Sequence, residues 1–422
     1  MRVCIFEDRA EQLEPLSLTR PVFELRCGMT SLAQKQARHV GATSWGALVR
    51  PALEDVYRIE SPNAVAVNET EWLRGESLLL VNGRWLPPDD AFVPPTTPCV
   101  GLVGDVPAYV ALPKGTTVCF ETLPELLEQC RHKLPITSAG GRLIGYPWDL
   151  VDANANEIQR DFGWLRPTRE PRDASLHLLG PHGNLWIAPS ARVEPMVVAD
   201  TTNGPVVIDE HANVSAFTRL EGPCYIGPYA RVLGANIRAG TSIGPHCRVG
   251  GEVEASILHA YSNKYHDGFL GHSYVGEWVN LGAGTHNSDL RNDYGEVTVS
   301  VRGLPMHTGM TKVGCFLGDH TKTGLGTLLN TGTTVGAFCN LLPAGRFAPK
   351  YVPSFTSWWN GSLREAFTLE QLLATAEIAM QRRGVTLTDA HRALYASLLE
   401  ETEEERHRVM RESEQRQLRR SA

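Results

Sequence analysis

The sequence predicts an α/β domain followed by a parallel β-helix of hexapeptide repeats and a helical tail. Two observations carry the first two parts. Short apolar runs separated by helix-like stretches occupy residues 1–165, and aliphatic residues then recur every sixth position over residues 174–361. The third part, residues 362–422, opens on a helix-capping signal and becomes almost wholly charged beyond Glu400.

In the first part, Val3–Phe6, Leu78–Val81, Val100–Val103 and Ala108–Leu112 read as strands of one sheet. Ligands of such sheets bind at the carboxyl ends of the strands, which singles out Glu7 and Asp8 after the first run and Asn82, Gly83 and Arg84 after the second. The segment Leu16–Lys35 places Arg20, Arg26 and Lys35 beside Gly28, Thr30 and Ser31. Three cations with a glycine and two hydroxyls suit a phosphate cradle, although a surface loop leading into a helix explains the same composition. Val151, Ala155, Ile158 and Phe162 then share one helical face, read as a connecting helix, and the Pro- and charge-rich stretch 166–173 marks a boundary.

The repeat is the most specific signal. Ile208, Val214, Leu220, Ile226 and Val232 are six apart; Ile237, Ile243 and Val249 continue after a slip; Leu317, Thr323, Leu329, Val335 and Leu341 form another series. Short strands stacked in coils bury one such position per strand, and Gly, Pro and Asn turn the corners. Phe269, Val275 and Leu281 are read as a further inward series, and the break between Thr285 and Val313 as an inserted arm.

Composition excludes several classes. A net charge of -7 leaves no basic face for nucleic acid, and no apolar run is long enough to cross a membrane. Without a signal-peptide pattern, the chain is expected in the cytoplasm. The nine cysteines stand singly with no C-x-x-C pair, as reduced buried thiols do.

The stretch Ser262–Thr285, SNKYHDGFLGHSYVGEWVNLGAGT, sets Lys264 and His266 just before a Gly-rich run. Its polar start is expected to leave the coil as a loop or rim, and a plain solvated loop is the competing reading. A base with pKa close to 7 at such a place suits acyl transfer to an amine, which must lose a proton as its nitrogen attacks a thioester. Gly-rich backbone can approach the resulting oxyanion closely, and Arg238 and Lys264 are candidate anchors for a sugar phosphate.

Thr19-Arg20-Pro21, the strand ending LLLVNGRWLPP and the stretch YPWDLVDANANEIQRDF resemble a diverged, short nucleotidyltransferase domain of GlmU-like bifunctional proteins. I-R-A-G with Arg238, the His266 loop and V-N-L-G-A-G-T from Val279 to Thr285 resemble the acetyltransferase half of the same family. The resemblance implies a left-handed β-helix that assembles as a homotrimer. On it acetyl-CoA acetylates an amino-sugar 1-phosphate, with glucosamine 1-phosphate the expected acceptor. It implies His266 as general base, Asn280 holding the reacting groups, Arg238 on the sugar phosphate and Gly282, Ala283 and Gly284 along acetyl-CoA. For the N-terminal domain it implies nucleotidyl transfer from an NTP, expected to be UTP, with Arg20 and Lys35 on the phosphates; the cradle adds Arg26 and the strand end Asn82 as substrate groups, and Asp8 and Asp105 are the candidates for magnesium. Two departures stand out: Asn82-Gly83-Arg84 occupies the place of Gly-Asp, and Phe269 that of a tyrosine. An acyltransferase whose N-terminal domain is vestigial or only senses nucleotide remains open. So do a zinc site on His259, His266, His272 and His286, as in γ-type carbonic anhydrases, and a non-catalytic trimeric scaffold. The tail is read as a solvated helix or frayed end and given no function.

Overall fold

The computed structural model describes residues 1–165, 176–342 and 345–421, and its chain forms two compact units. The boundary stretch 166–173 lies outside the described residues. The first unit comprises Met1–Leu13, Thr19–Leu25 and Thr30–Tyr146, the second Glu14–Leu18, Arg26–Met29 and Pro147–Ala422.

The first unit is built on seven strands: β1 (Arg2–Phe6), β2 (Trp45–Leu48), β3 (Ala64–Val67), β4 (Leu78–Asn82), β5 (Cys99–Val103), β6 (Val106–Leu112) and β7 (Ile136–Ser138). Their order is β7-β5-β6-β4-β1-β2-β3. β1 runs parallel to β2 and β4, and only the β5–β6 hairpin brings in antiparallel pairing. Near-continuous apolar strands such as Leu78-Leu79-Leu80-Val81 are buried on both faces, as central parallel strands require. Helices α1 (Leu32–His39), α2 (Glu54–Glu60), α3 (Thr70–Arg74) and α4 (Leu123–Lys133) fill the connections. Ser31 caps α1 reciprocally with Gln34, so one hydroxyl of the expected phosphate cradle is already used.

The second unit is a parallel β-helix. One of its faces is nine parallel strands, from Leu185–Ile187 to Tyr351–Val352. Along it Ile187, Ile208, Ile226, Ile243, Leu258, Val275, Leu317, Val335 and Val352 stack in register, each at most 3% exposed. The arm after Thr285 is an antiparallel hairpin, Thr298–Val301 with Leu304–His307. One coil departs from the six-residue reading. Leu270, not Phe269, pairs with inward Val253 and is buried, while Phe269 lies opposite Glu252. Lys264 is likewise inward, opposite Val249 and 2% exposed, so the polar run does not leave the coil until Tyr265.

Helix α5 (Pro147–Leu165), read as a connector, belongs to this second unit. Ile158 packs with Met29, Val207 and Tyr225, and two buried polar side chains fasten the helix further. Asn154 accepts the Gly28 N–H at 2.6 Å and donates to the Gly240 carbonyl at 2.7 Å; Asp161 accepts the Met29 N–H at 2.8 Å. Gly28, at φ 73° with Asp161 and Glu157 pressed against it, has no room for a side chain.

Each coil turns one corner on a non-glycine residue in the left-handed region, from His211 through Tyr229, His246, Tyr261, Trp278, His320 and Phe338 to Phe355. That conformation costs about 1 kcal/mol per residue. The rings stack one above another, with centroids 4.3 Å apart at Tyr261–Trp278 and 4.8 Å at His246–Tyr261, which offsets the strain by a comparable amount.

Three helices end the chain: α6 (Leu369–Gln381), α7 (Asp389–Glu401) and α8 (Glu403–Ser421). Thr368 and Gln371 form the capping box read from the sequence, and Leu372, Ala376 and Met380 are the buried face of α6. The solvated-tail reading of α8 is corrected. Val409 and Met410 pack against the β-helix core, Glu405 accepts the Tyr351 hydroxyl at 2.8 Å, and Arg406 is buried with a bond to the Leu399 carbonyl. No helix among the described residues is long and apolar enough to cross a membrane. All nine cysteines are free, and burial pushes Cys247, Cys315 and Cys339 up to about 12, which suits packing and not nucleophilic work.

Candidate active sites

In the first unit the register sets Phe6 beside Asn82, so Glu7, Asp8 and Arg84 emerge from the adjacent ends of β1 and β4. Their side chains satisfy one another. Arg84, 3% exposed, donates from Nε to Asp8 Oδ2 at 3.2 Å and from Nη1 to the Ile144 carbonyl at 3.0 Å. Asn82 donates to the same Asp8 oxygen at 2.9 Å and to the Pro107 carbonyl at 3.0 Å. Glu7 accepts the Val22 and Arg50 N–H groups, at 3.3 and 2.8 Å. Asp8 therefore faces a guanidinium where an open metal ligand was expected, and Asp105 sits exposed on the β5–β6 turn. This donor set does not fit a magnesium ion, because a second cation at Asp8 would meet the fixed charge of Arg84.

The cradle cations divide between the units. Arg20 and Lys35, both buried, fall in the first, and Arg26 falls in the second. The Tyr274 hydroxyl accepts the Arg26 N–H at 2.9 Å and donates to the Arg26 carbonyl at 3.1 Å, and the Arg26 side chain bonds the Met29 carbonyl. Thr30 Oγ1 accepts from Arg38 at 3.3 Å.

In the β-helix, the corner at 264–268 is fixed through its backbone. The Lys264 ammonium reaches back from the core to the Gly250 and His266 carbonyls, at 2.8 and 2.7 Å. The Asp267 carbonyl accepts the Gly284 N–H at 3.0 Å, and the Phe269 N–H donates to His286 Nδ1 at 3.1 Å. Gly268, at φ 138°, passes so close to Thr285 that a Cβ would lie 2.2 Å from its carbonyl oxygen. These contacts hold His266, whose ring is exposed, on a corner with little freedom. Burial lowers the Lys264 ammonium to about 8, with Asp267 acting the other way. Lys264 is thus built into the corner and does not stand free for a phosphate.

Arg238 is also engaged. Its Nη1 lies 2.9 Å from Glu254 and 3.3 Å from Glu252, with Glu221 3.9 Å from Nε. The Gly282 N–H donates to Thr323 and that of Gly284 to Asp267, so neither is open to an oxyanion; Ala283 lies between them. Asn280, exposed, accepts from Asn263 Nδ2 at 3.3 Å, which leaves its own N–H groups as donors.

Sequence reasoning missed two arrangements. His272 and Asp289 pair at 2.7 Å; burial would raise the Asp289 carboxyl, but the bond to His272 and the charge of Lys312 outweigh it and hold it below the usual carboxylate range. The other is a cavity of about 380 Å³ lined by Arg248, Asn263, Asn280 and Lys322 of the β-helix and by Arg382 and Arg383. The four histidines of the zinc reading have separate neighbours: His259 bonds Tyr274, His272 bonds Asp289, His286 bonds Phe269, and His266 is exposed. Among the described residues no group of three or more His, Cys, Asp or Glu is placed to hold an ion.

Residues 3–170 match the sugar nucleotidyl transferase family. A bifunctional sugar-1-phosphate nucleotidylyltransferase/acetyltransferase of Sulfurisphaera tokodaii is 35% identical over 152 residues, 33% of this chain and 36% of that protein. Bifunctional protein GlmU of Methanocaldococcus jannaschii is 30% identical over 211 residues, 46% of this chain and 42% of that protein. The chain thus spans well under half the length of these relatives. Among solved structures, GDP-perosamine N-acetyl transferase from Caulobacter crescentus aligns at 15% identity over 87% of this chain and 97% of its own, with a TM-score of 0.16.

Proposed function

We propose that this GlmU-like chain, a sugar nucleotidyl transferase domain followed by a β-helix, acetylates an amino-sugar 1-phosphate on the β-helix and transfers a nucleotidyl group on its first unit. Glucosamine 1-phosphate with acetyl-CoA, and then UTP, are the substrates assigned. The observation that carries the acetyl step is the His266 corner, where an exposed imidazole stands on backbone fixed at Lys264, Asp267 and Phe269. His266 accepts a proton from the amine as the nitrogen attacks the thioester carbonyl. The C–N bond forms, the C–S bond breaks, and coenzyme A leaves as the thiol after taking up a proton. Asn280 donates its amide N–H groups to the reacting groups, and acetyl-CoA lies along Ala283 and its glycine neighbours. The β-helices associate side by side as a homotrimer; a sedimentation mass equal to the 46.4 kDa monomer at micromolar concentration overturns that assembly.

One observation favours a second reading of the first unit. With Asp8 held by Arg84 and Asn82, it would bind a sugar nucleotide without transferring a nucleotidyl group. An assay with glucosamine 1-phosphate, acetyl-CoA, magnesium and each NTP in turn separates the readings. Thiol release and pyrophosphate release together support both activities. Thiol release alone leaves an acetyltransferase with a binding domain, and neither product removes the proposal.

A further inference from the structure

We propose that the cavity between the end of α6 and the β-helix binds the phosphate groups of a nucleotide-type ligand. The cavity collects four cations from two elements: Arg248 and Lys322 from stacked coils, Arg382 and Arg383 from the end of α6. On the β-helix side, Arg231, Arg248, Asn263, Asn280 and Lys322 stand opposite one another on successive coils, forming one outward column of donors. The α6 cations sit at a helix C-terminus, where positive charge is ordinary, but the same account does not cover Arg248 and Lys322.

Three features suit an anion. Among the described residues no carboxylate lines the cavity. The Arg248 Nε is buried with no hydrogen-bond partner, and a buried guanidinium N–H left unpaired is costly. Burial together with Arg231 and Arg382 lowers Arg248, burial together with Arg248 lowers Arg383, and burial brings Lys322 to about 8. Asn263 and Asn280 add amide groups at the same wall, and Arg383 already donates to Asn263 at 2.7 Å, so the side chains are ordered before a ligand arrives. The Lys322 ammonium donates one bond to the His320 carbonyl at 3.0 Å, against two carbonyl bonds for Lys264, and phosphate oxygens suit its remaining N–H groups and the guanidinium forks through short charge-assisted bonds. At about 380 Å³ the space is that of a small-molecule site.

Two sources share this chemistry, the phosphates of coenzyme A and those of a sugar nucleotide. Calorimetric titration of the full chain with coenzyme A, UDP-N-acetylglucosamine and pyrophosphate distinguishes them. This site rests on the proposed function for its choice of ligands, and the variants separate the two: wild-type affinity in them overturns the site and leaves acetyl transfer standing, whereas phosphate-ligand binding without thiol release removes acetyl transfer and leaves the site. At least one of the three should bind, more weakly as potassium chloride is added. Arg248→Gln with Lys322→Gln should weaken that binding about tenfold or more while the ligand-free protein unfolds at no lower temperature, because unpaired like charges have been removed. Arg383→Gln, on the helix, should weaken it too and serves if the double variant does not fold. Absence of binding for all three ligands, or wild-type affinity in the variants, overturns the proposal.

Discussion

At the strand ends of the first unit Asp8, Asn82 and Arg84 satisfy one another, whereas at the 264–268 corner of the β-helix the backbone is satisfied and the His266 ring is left exposed. Both places hold the residue types that chemistry needs. They differ in what the hydrogen bonds are used for. A closed set of polar side chains stabilises a fold but has nothing to offer a substrate without breaking a bond, while a fixed backbone with an exposed side chain keeps its reactive group ready. The same contrast separates Arg238, surrounded by Glu221, Glu252 and Glu254, from Arg248, which faces other cations.

The strongest test of this contrast is His266→Ala, expected to lower kcat for acetyl transfer by about 10²–10⁴ with acetyl-CoA affinity unchanged, as loss of a general base does. A wild-type rate in that variant would make the corner an ordinary solvated loop. Arg84→Met should instead act on stability, lowering it by about 2–3 kcal/mol in urea unfolding, because it strands the Ile144 carbonyl and part of the Asp8 charge. If it raises KM for NTP and leaves the urea midpoint in place, Arg84 is a substrate group and the two regions are alike. Lys264→Met removes two bonds from inside the corner while relieving a buried charge. Its net cost should be about 1 kcal/mol, with kcat falling more than stability would suggest. Unchanged kcat would show that the corner keeps its shape without the ammonium.

The smallest effect is in pH. Burial holds Lys264 at about 8 in the folded chain, against an ordinary 10.5. The unfolded chain therefore binds more protons between those values, so the contribution of Lys264 to stability rises with pH across that window; Lys322, also near 8, adds to the slope. Urea midpoints measured below pH 8 and at about pH 10 should show a shallower rise in Lys264→Met than in the parent. Equal slopes would place the ammonium in water.

The inward columns were legible because a coil interior accepts only residues with little polar surface, and the aliphatic spacing records that directly. Lys264 escaped the rule. Its four-carbon stem fills the place of an aliphatic residue, and only the structure shows two carbonyls waiting at its end. Lys322 was hidden by the arm, which separates it in sequence from Asn280, its neighbour in the column. The strands of β1 and β4 were visible as apolar runs, but which acceptor Arg84 would choose depends on Asp8, far away in the chain. The packing of α8 was masked by composition, since Val409 and Met410 are two apolar residues in a charged stretch.

That last helix bears on what happens at the end of the stack. A column of parallel coils is half of a fibre, because its final coil presents unpaired backbone groups and an apolar interior to any similar surface. Here Thr356–Trp359 folds back antiparallel on Ser362–Glu365, so the edge changes direction, and α8 lies against that hairpin with Val409 and Met410 on the core that includes Trp358 and Leu363. The tail thus works as a chain terminator in the sense used of polymers: it leaves the growing end without a site for the next unit, and keeps a repeating structure finite.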